Sequence, residues 1–481
     1  MKRILIIVLA LAMVLGCMSF TSAEEAKKLS ICTVKAGAAF PDGVDVGNSD
    51  FLLKIEELTG FDLEWTTLAD GSVDTLNLLL TSGNCPDLIQ FGAAEPIVDL
   101  VNKGAVACLD DALDAYGEGL LELIPEDVLG ANKINGSVYF LPRYTGGISI
   151  GTIALRQDIL EELGLEVPVT IEDWDEVLAT VKEETDLIPY MFYTGSNADY
   201  MEFGAAFGVG MNRPTYFYVD ENGECSIPML SENGYALIEK LNEWYKAGYF
   251  EEDYAVSTDK LSRFLAGEAF AAYVNYTETA RNEYALYEKV EGAKLLYVAP
   301  PTTADGEIGW QTVDSVSSMA WFVPITSADK ADLAIEFLNA CLDEKVLNLI
   351  CYGWEGQNWE YVDGVPTFIE GAAPADYRGY YSRVVLDITW DAAWNASNGL
   401  TDHMAFLDTF YTKNPVCYIP AVGCEAYSAN NPQICSEINT AVANWIVDGI
   451  TEESFAEVTN KVMNELGGQQ VIDQINAWMA E

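Results

Sequence analysis

Trp354-Glu355-Gly356-Gln357-Asn358-Trp359 sets two indole rings within six positions of a carboxylate and two side-chain amides. The pairing of rings with polar neighbours recurs along the chain. Trp310 leads Gln311-Thr312-Val313-Asp314, Trp390-Asp391 is followed by Trp394-Asn395, and Tyr276 follows Asn275. An aromatic face offers apolar contact, and an Asp, Asn, Gln or Arg beside it offers strong hydrogen bonds. A pyranose, with apolar C–H faces and a rim of hydroxyls, asks for both. The competing use of such rings is core packing, because Trp and Tyr are usually largely buried. With 11 Trp and 25 Tyr present, the core takes many, and a binding cleft needs only a few.

Bond-breaking chemistry has fewer carriers. His403 is the one histidine, and it sits in Leu400-Thr401-Asp402-His403-Met404 with no nucleophile elbow nearby. It reads as an exposed or structural residue, and histidine-rich metal sites are excluded. No G-x-x-x-x-G-K-[ST] is present, and Gly208-Val209-Gly210 lacks the third glycine of a dinucleotide site. The sequence therefore implies no cofactor, no metal and no catalytic residue. Acidic pairs such as Asp110-Asp111, Glu251-Glu252 and Glu452-Glu453 stand at helix ends or turns, where carboxylates are commonly solvated. A glycoside hydrolase stays open as an alternative. It would need two carboxyls at a fixed separation across one cleft.

Removing Lys2 and Arg3 from the 25 basic side chains leaves 23 against 75 acidic ones, a balance of −52. A surface this negative repels nucleic acid and anionic lipid. Half the residues are hydrophobic, so the chain is globular rather than a disordered acidic tail.

Lys2 and Arg3 precede the apolar run Ile4–Leu15, with small and polar residues after it. The run is too short to span a bilayer and reads as part of a signal peptide, residues 1–23. Thr21-Ser22-Ala23 fits cleavage before Glu24. Val14-Leu15-Gly16-Cys17 is an imperfect lipobox that would instead acylate Cys17. The remaining cysteines form no tight framework, and most read as small buried apolar residues. Cys417, Cys424 and Cys435 are close enough in sequence for one bridge.

The elements that must position the rings alternate between strand and helix, which indicates α/β. Phe51, Leu52, Ile55 and Leu58 share a helical face between Asp50 and Gly60. Val73–Thr81 reads as a helix capped by Gly83, followed by a buried strand Asp87–Phe91. Thr170-Ile171-Glu172-Asp173 is a capping box opening a helix to about Glu184. Ser327 is expected to begin a helix Ala328–Asp343, and the last stretch of chain reads as helices. No repeat or low-complexity linker divides the chain.

Several segments together resemble the extracellular solute-binding proteins of bacterial ABC transporters, family 1, in their maltodextrin-binding-like, carbohydrate-type branch. They include Ser82-Gly-Asn-Cys-Pro-Asp87, Gly136-Ser-Val-Tyr139 leading to Pro142, Ile153–Asp158, Asn242–Gly248, Phe264–Gly267, Val323–Ser327 and Tyr352-Gly-Trp-Glu355-Gly356. The resemblance implies a two-lobed periplasmic-binding-protein-like fold (type II) with a multi-strand hinge. The first lobe would be 24–148 plus 322–372 and the second 149–321 plus 373–481. The crossings would lie near Gly146–Thr152, Val316–Val323 and Ala372. It implies no enzymatic activity, an extracellular monomer, and a sugar or oligosaccharide handed to permease subunits. Contact with the membrane would come only through a lipid on Cys17 or the permease. It places Glu95, Arg143, Tyr144, Asn275, Tyr276, Trp354 and Glu355 at or beside the cleft, and the aromatic-polar clusters add Trp310, Asp314, Trp390 and Trp394 as candidate ligand contacts. A ligand-sensing subunit of a receptor kinase is a further alternative.

Overall fold

The computed structural model describes residues 27–34, 39–68, 70–92, 94–124, 126–144, 151–191, 201–209, 216–220, 222–252, 254, 260–275, 282–302, 306, 316–369, 372, 376–381, 405–406, 409 and 424–480. Its strands are β1 (Lys27–Thr33), β2 (Phe61–Thr67), β3 (Leu88–Phe91), β4 (Phe140–Tyr144), β5 (Gly151–Arg156), β6 (Ile188–Met191), β7 (Tyr218–Val219), β8 (Cys225–Ser226), β9 (Ala269–Asn275), β10 (Leu295–Val298), β11 (Val316–Phe322), β12 (Trp359–Val362) and β13 (Val365–Phe368). They form one five-stranded sheet, β2-β1-β3-β11-β4, one four-stranded sheet, β10-β5-β9-β6, and two hairpins.

Strands β1, β2 and β3 run parallel, and β11 is inserted antiparallel between β3 and β4. Side chains alternate across this sheet as strand geometry requires. Leu29, Ile31, Leu88, Leu141 and Trp321 pack on one face with Phe51, Leu52, Ile55 and Phe337 from helices. Ile89, Phe91, Phe140, Ala320 and Phe322 pack on the other with Leu76, Ile97 and Val98. Burial on both faces explains why these strands read as apolar runs. In the second sheet Ile153, Leu155, Ala271 and Tyr273 join the terminal helices through Trp445, Ile446, Val462 and Ile475. Its β5 ends in Arg156, 3 % exposed, whose guanidinium forks onto Asp158 at 2.8 and 2.5 Å.

The local signals act where the sequence puts them, with two exceptions. Helix Asp50–Thr59 has Ser49 as N-cap and Gly60 in the left-handed region at φ 77°. Helix Ile171–Glu184 carries the full Thr170/Asp173 capping box. Helix Val73–Thr81, however, ends on Ser82 rather than on Gly83. The Ser82 amide closes a tight three-residue turn onto the Leu79 carbonyl, and an extended Ser82 then leads the chain away, so no left-handed cap is used. The helix expected from Ala328 starts instead at Ala331 and ends at Ala340, after a 3-10 turn over Ile325–Lys330. There Ser327 is non-helical, at φ −117°. The Ile325 amide is already bonded to the Ala105 carbonyl, which ties the entry of the turn to the segment after helix Ala94–Asn102.

Candidate functional site

Helix Glu344–Tyr352 delivers the chain to Trp354. It stops at Gly353, whose backbone (φ 87°, ψ −144°) lies in a region almost confined to glycine. Its last carbonyls, which no helical amide can reach, are taken by Arg378: Nη1 donates to Ile350 O at 2.9 Å and Cys351 O at 2.5 Å. The following loop is closed on itself. The Trp354 amide donates to Asn358 Oδ1 at 2.9 Å, the Gln357 and Asn358 amides donate to Trp354 O, and Trp359 Nε1 donates to Gly353 O at 2.9 Å. Trp359 is thereby buried, Trp354 is half-buried, and Glu355 between them is exposed.

The Trp354 ring leans on Phe51 at 5.5 Å between centroids. Further rings continue the wall. Tyr377 meets Phe51 edge-on at 5.7 Å, and Phe40 lies 4.9 Å from Tyr377 and 4.8 Å from Tyr380. Tyr381 abuts Trp65 at 5.1 Å and donates to the Val46 carbonyl at 2.7 Å. Asp50 edges the group, accepting from Tyr377 Oη at 3.0 Å. Burial, with the bond to Asp50 behind it, raises the Tyr377 hydroxyl above its ordinary pKa, so it remains a neutral donor. Phe51, Trp65, Tyr380 and Tyr381 are buried, whereas Phe40, Trp354 and Tyr377 are partly exposed. Partly exposed rings, with the Asp50 carboxylate bonded to one of them and the exposed Glu355 next to Trp354 in sequence, suit the binding of a ligand with an apolar face and hydroxyl donors.

Strand ends carry the other candidates. Glu95 is in the first turn of helix Ala94–Asn102, which follows β3; Arg143 and Tyr144 end β4, and Asn275 ends β9. Strands β3 and β4 both run opposite to β11, so Phe91 and Tyr144 finish at the same edge of the first sheet. Tyr144 is in register with Val316, and Asn275 with Gly151. From Tyr144 to Gly151 the chain passes from one sheet to the other, a path of at most about 25 Å. The carboxyl ends of β3, β4 and β9 are thus grouped where the chain crosses, and loops there are the usual ligand position in open α/β sheets. Phe40 lies in the loop after β1, at that same end of the sheet.

Tyr276, Trp310, Asp314, Trp390, Trp394, His403 and Cys17 lie outside the described residues. Reading the sequence for tryptophan passed over Phe40, Tyr377 and Tyr380. The signal available was Asp376-Tyr377-Arg378-Gly379-Tyr380-Tyr381, three tyrosines beside an arginine. A groove of about 720 Å3 does open elsewhere, between helix Val73–Thr81 and the Ser30, Cys32 and Thr66 face of the first sheet. None of the expected site residues lines it.

Among the described residues no cluster of His, Cys, Asp or Glu could hold a metal, and no helix is long and apolar enough to cross a membrane. Cys32, Cys225, Cys341 and Cys424 are buried free thiols, as their apolar reading expected, and Cys108 is an exposed one. Cys424 and Cys435 therefore form no bridge with each other, and Cys417 lies outside the described residues.

No family model matches the chain. It is 30 % identical over 217 residues, 40 % of each chain, to the fructooligosaccharide ABC transporter substrate-binding protein FusA of Streptococcus pneumoniae. A carbohydrate ABC transporter substrate-binding protein of the same organism is 24 % identical over 333 residues, 67 % of this chain and 64 % of that one. The matches thus span less than two thirds of these two relatives. Lipoprotein LipO of Bacillus subtilis is 24 % identical over 77 % of this chain and 76 % of its own. Among solved structures, alginate-binding protein AlgQ2 superposes with a TM-score of 0.75 at 16 % identity, covering 95 % of this chain and 99 % of that one. FusA of S. pneumoniae in complex with kestose gives 0.75 at 16 % identity over 94 % and 99 %. The chain has the two-lobed α/β fold of the solute-binding proteins. Two of its curated relatives are substrate-binding proteins of carbohydrate ABC transporters, and it is related to them.

Proposed function

We propose that the chain is the extracellular substrate-binding component of an ABC importer, capturing a neutral sugar or short oligosaccharide and passing it to a membrane permease. The observation that carries this reading is the half-exposed Trp354 backed by Phe51, with the exposed Glu355 next to it in sequence and Asp50 bonded to Tyr377, the other ring on Phe51. Relatedness to carbohydrate-binding components supports it. In this reading Trp354 stacks on a sugar face, and Glu355, Glu95, Arg143, Tyr144 and Asn275 bond its hydroxyls. Tyr276, Trp310, Asp314, Trp390 and Trp394 complete the candidate set. The protein acts without turnover, as a monomer, either secreted or tethered through Cys17.

In this reading the lobes are 24–148 with 322–372 and 149–321 with 373–481. One refinement follows from Tyr377 and Tyr381, which pack on Phe51 and Trp65: the first lobe extends to Tyr381. Ligand touching both lobes favours the closed form, and that form is what the permease recognises.

A thermal-shift screen of residues 24–481 against mono- and oligosaccharides, with each mixture analysed afterwards for breakdown, tests the reading. Ligand at about 100 times Kd adds about 2.7 kcal/mol of stability. A shift with intact sugar supports the importer. A shift with cleavage makes the chain a glycoside hydrolase, and silence across the panel removes the sugar ligand.

A further inference from the structure

We infer that Asn358 is a positioning residue, a single amide that sets how Trp354 presents its ring and ties it to the segment around Arg378. The inference rests on Trp354 being the sugar-stacking ring. Asn358 Oδ1 accepts the Trp354 amide at 2.9 Å while its own amide N–H donates to Trp354 O at 2.8 Å, so the two residues are doubly joined. Its Nδ2 donates to Ala372 O at 3.0 Å, and its backbone carbonyl accepts from the Ile369 amide. Six positions past Ala372, Arg378 caps the helix that delivers Trp354, and Tyr377 meets Phe51, the ring on which Trp354 leans. The loop is thus gripped from both sides by one stretch of chain, and Asn358 makes the link on the loop's side.

An asparagine is the residue type this role needs. It must accept from one backbone amide and donate to one backbone carbonyl at the same time, which neither Asp nor a hydroxyl does with the same reach. Losing it leaves the Trp354 amide and the Ala372 carbonyl without that partner. The ring then rotates over Phe51 instead of holding one orientation, and binding weakens because the platform is no longer set beforehand.

The test is a double-mutant cycle with isothermal titration of kestose, or of whichever sugar gives the largest thermal shift. Asn358→Ala is expected to raise Kd about tenfold. In a Trp354→Ala background the same change is expected to leave Kd where Trp354→Ala alone put it. Asn358→Asp keeps the acceptor for the Trp354 amide but loses the donor to the Ala372 carbonyl, and is expected to raise Kd about threefold, less than the alanine form. It also serves as the milder variant should the alanine form fold poorly. A Kd unchanged by Asn358→Ala with a lowered melting temperature would make Asn358 merely structural and overturn the inference, as would full additivity with Trp354→Ala.

A second readout needs no sugar. The fluorescence difference between parent and Trp354→Phe isolates the Trp354 emission, and iodide quenching of that component is expected to rise in Asn358→Ala. Unchanged quenching overturns the positioning role. If no sugar binds, the proposed function fails, and the quenching result still decides for or against Asn358.

Discussion

Tyr381 and Ser49 stand 332 positions apart in the chain, and their hydroxyl oxygens meet at 2.6 Å inside the core. The donor can be assigned. Tyr381 has one hydroxyl proton and gives it to the Val46 carbonyl at 2.7 Å, so Ser49 must donate to Tyr381. Ser49 in turn accepts the Leu52 amide as N-cap of helix Asp50–Thr59. The relay runs from a late segment of chain, through a helix cap, to the loop that carries Phe40. Burial pushes the Tyr381 hydroxyl well above the ordinary tyrosine value, which keeps the relay protonated at neutral pH.

Tyr381→Phe keeps the ring against Trp65 and deletes only the hydroxyl. It leaves the Val46 carbonyl and the Ser49 hydroxyl unsatisfied in a dry site, at about 2 kcal/mol. Urea unfolding of the two proteins at pH 7 measures the difference. A loss below about 0.5 kcal/mol would mean the relay is redundant with water.

Trp354→Ala removes the exposed platform while Trp359 continues to anchor the loop through Gly353. Affinity for the sugar found in the screen is expected to fall at least about tenfold, near 1.4 kcal/mol. Trp354→Phe, which keeps an aromatic face, should recover most of it. Calorimetric titration reads both, and equal Kd values for parent and alanine variant would move the binding site away from this ring.

Arg156 and Asp158 make a nearly buried pair at the end of β5. Partial burial opposes the Asp158 charge, but hydrogen bonds from Arg156 and the Lys294 amide outweigh it and hold the carboxyl below its usual range. A depressed carboxylate stabilises the fold above its unfolded pKa of about 3.9 and loses that contribution as pH falls through the folded value. Asp158→Asn is therefore expected to cost about 3 kcal/mol at pH 7, where it strands a buried guanidinium, with the gap narrowing below about pH 4. Unfolding free energies at pH 7 and pH 3.5 check the sign; a gap that widens in acid would refute it.

The thiols should separate by burial. Desolvation pushes Cys225 up to about 12, with Cys424 nearby adding to it, and Cys424 up to about 11. The enclosed Cys341 is raised for the same reason. Iodoacetamide at pH 8 on the native protein should label Cys108 and spare Cys225, Cys341 and Cys424 until urea is added. Peptide mapping by mass spectrometry counts the sites, and rapid native labelling of Cys341 would contradict the packing described.

Much of the fold was legible because its signals are local. Ser49 with Gly60, and Thr170 with Asp173, each state a helix boundary within a few residues, and the structure obeys them. Gly83 and Ser327 misled for one shared reason. At each, a tight three-residue turn closes the backbone before the expected signal acts, and at Ser327 the entry is also fixed by Ala105, far away in sequence. The candidate site was half legible. Trp354 and Glu355 announce themselves as a ring beside a carboxylate. Phe40, Tyr377 and Tyr380 do not, because what brings Tyr377 to Phe51 and Tyr380 to Phe40 is a return of the chain that no sequence window contains.

The place of β11 between β3 and β4 bears on how the protein is made. Among the described residues β4 pairs in the first sheet with β11 alone, and that partner is complete only when residue 322 has been synthesised. A nascent chain stopped short of that point carries β3 with a bare edge and β4 with none to join, and it cannot close its first core. Sheets that wait on distant strands assemble slowly. Under the extracellular function proposed above, such lateness is useful: the leading half stays threadable through a translocation pore for as long as its missing strand is still unmade.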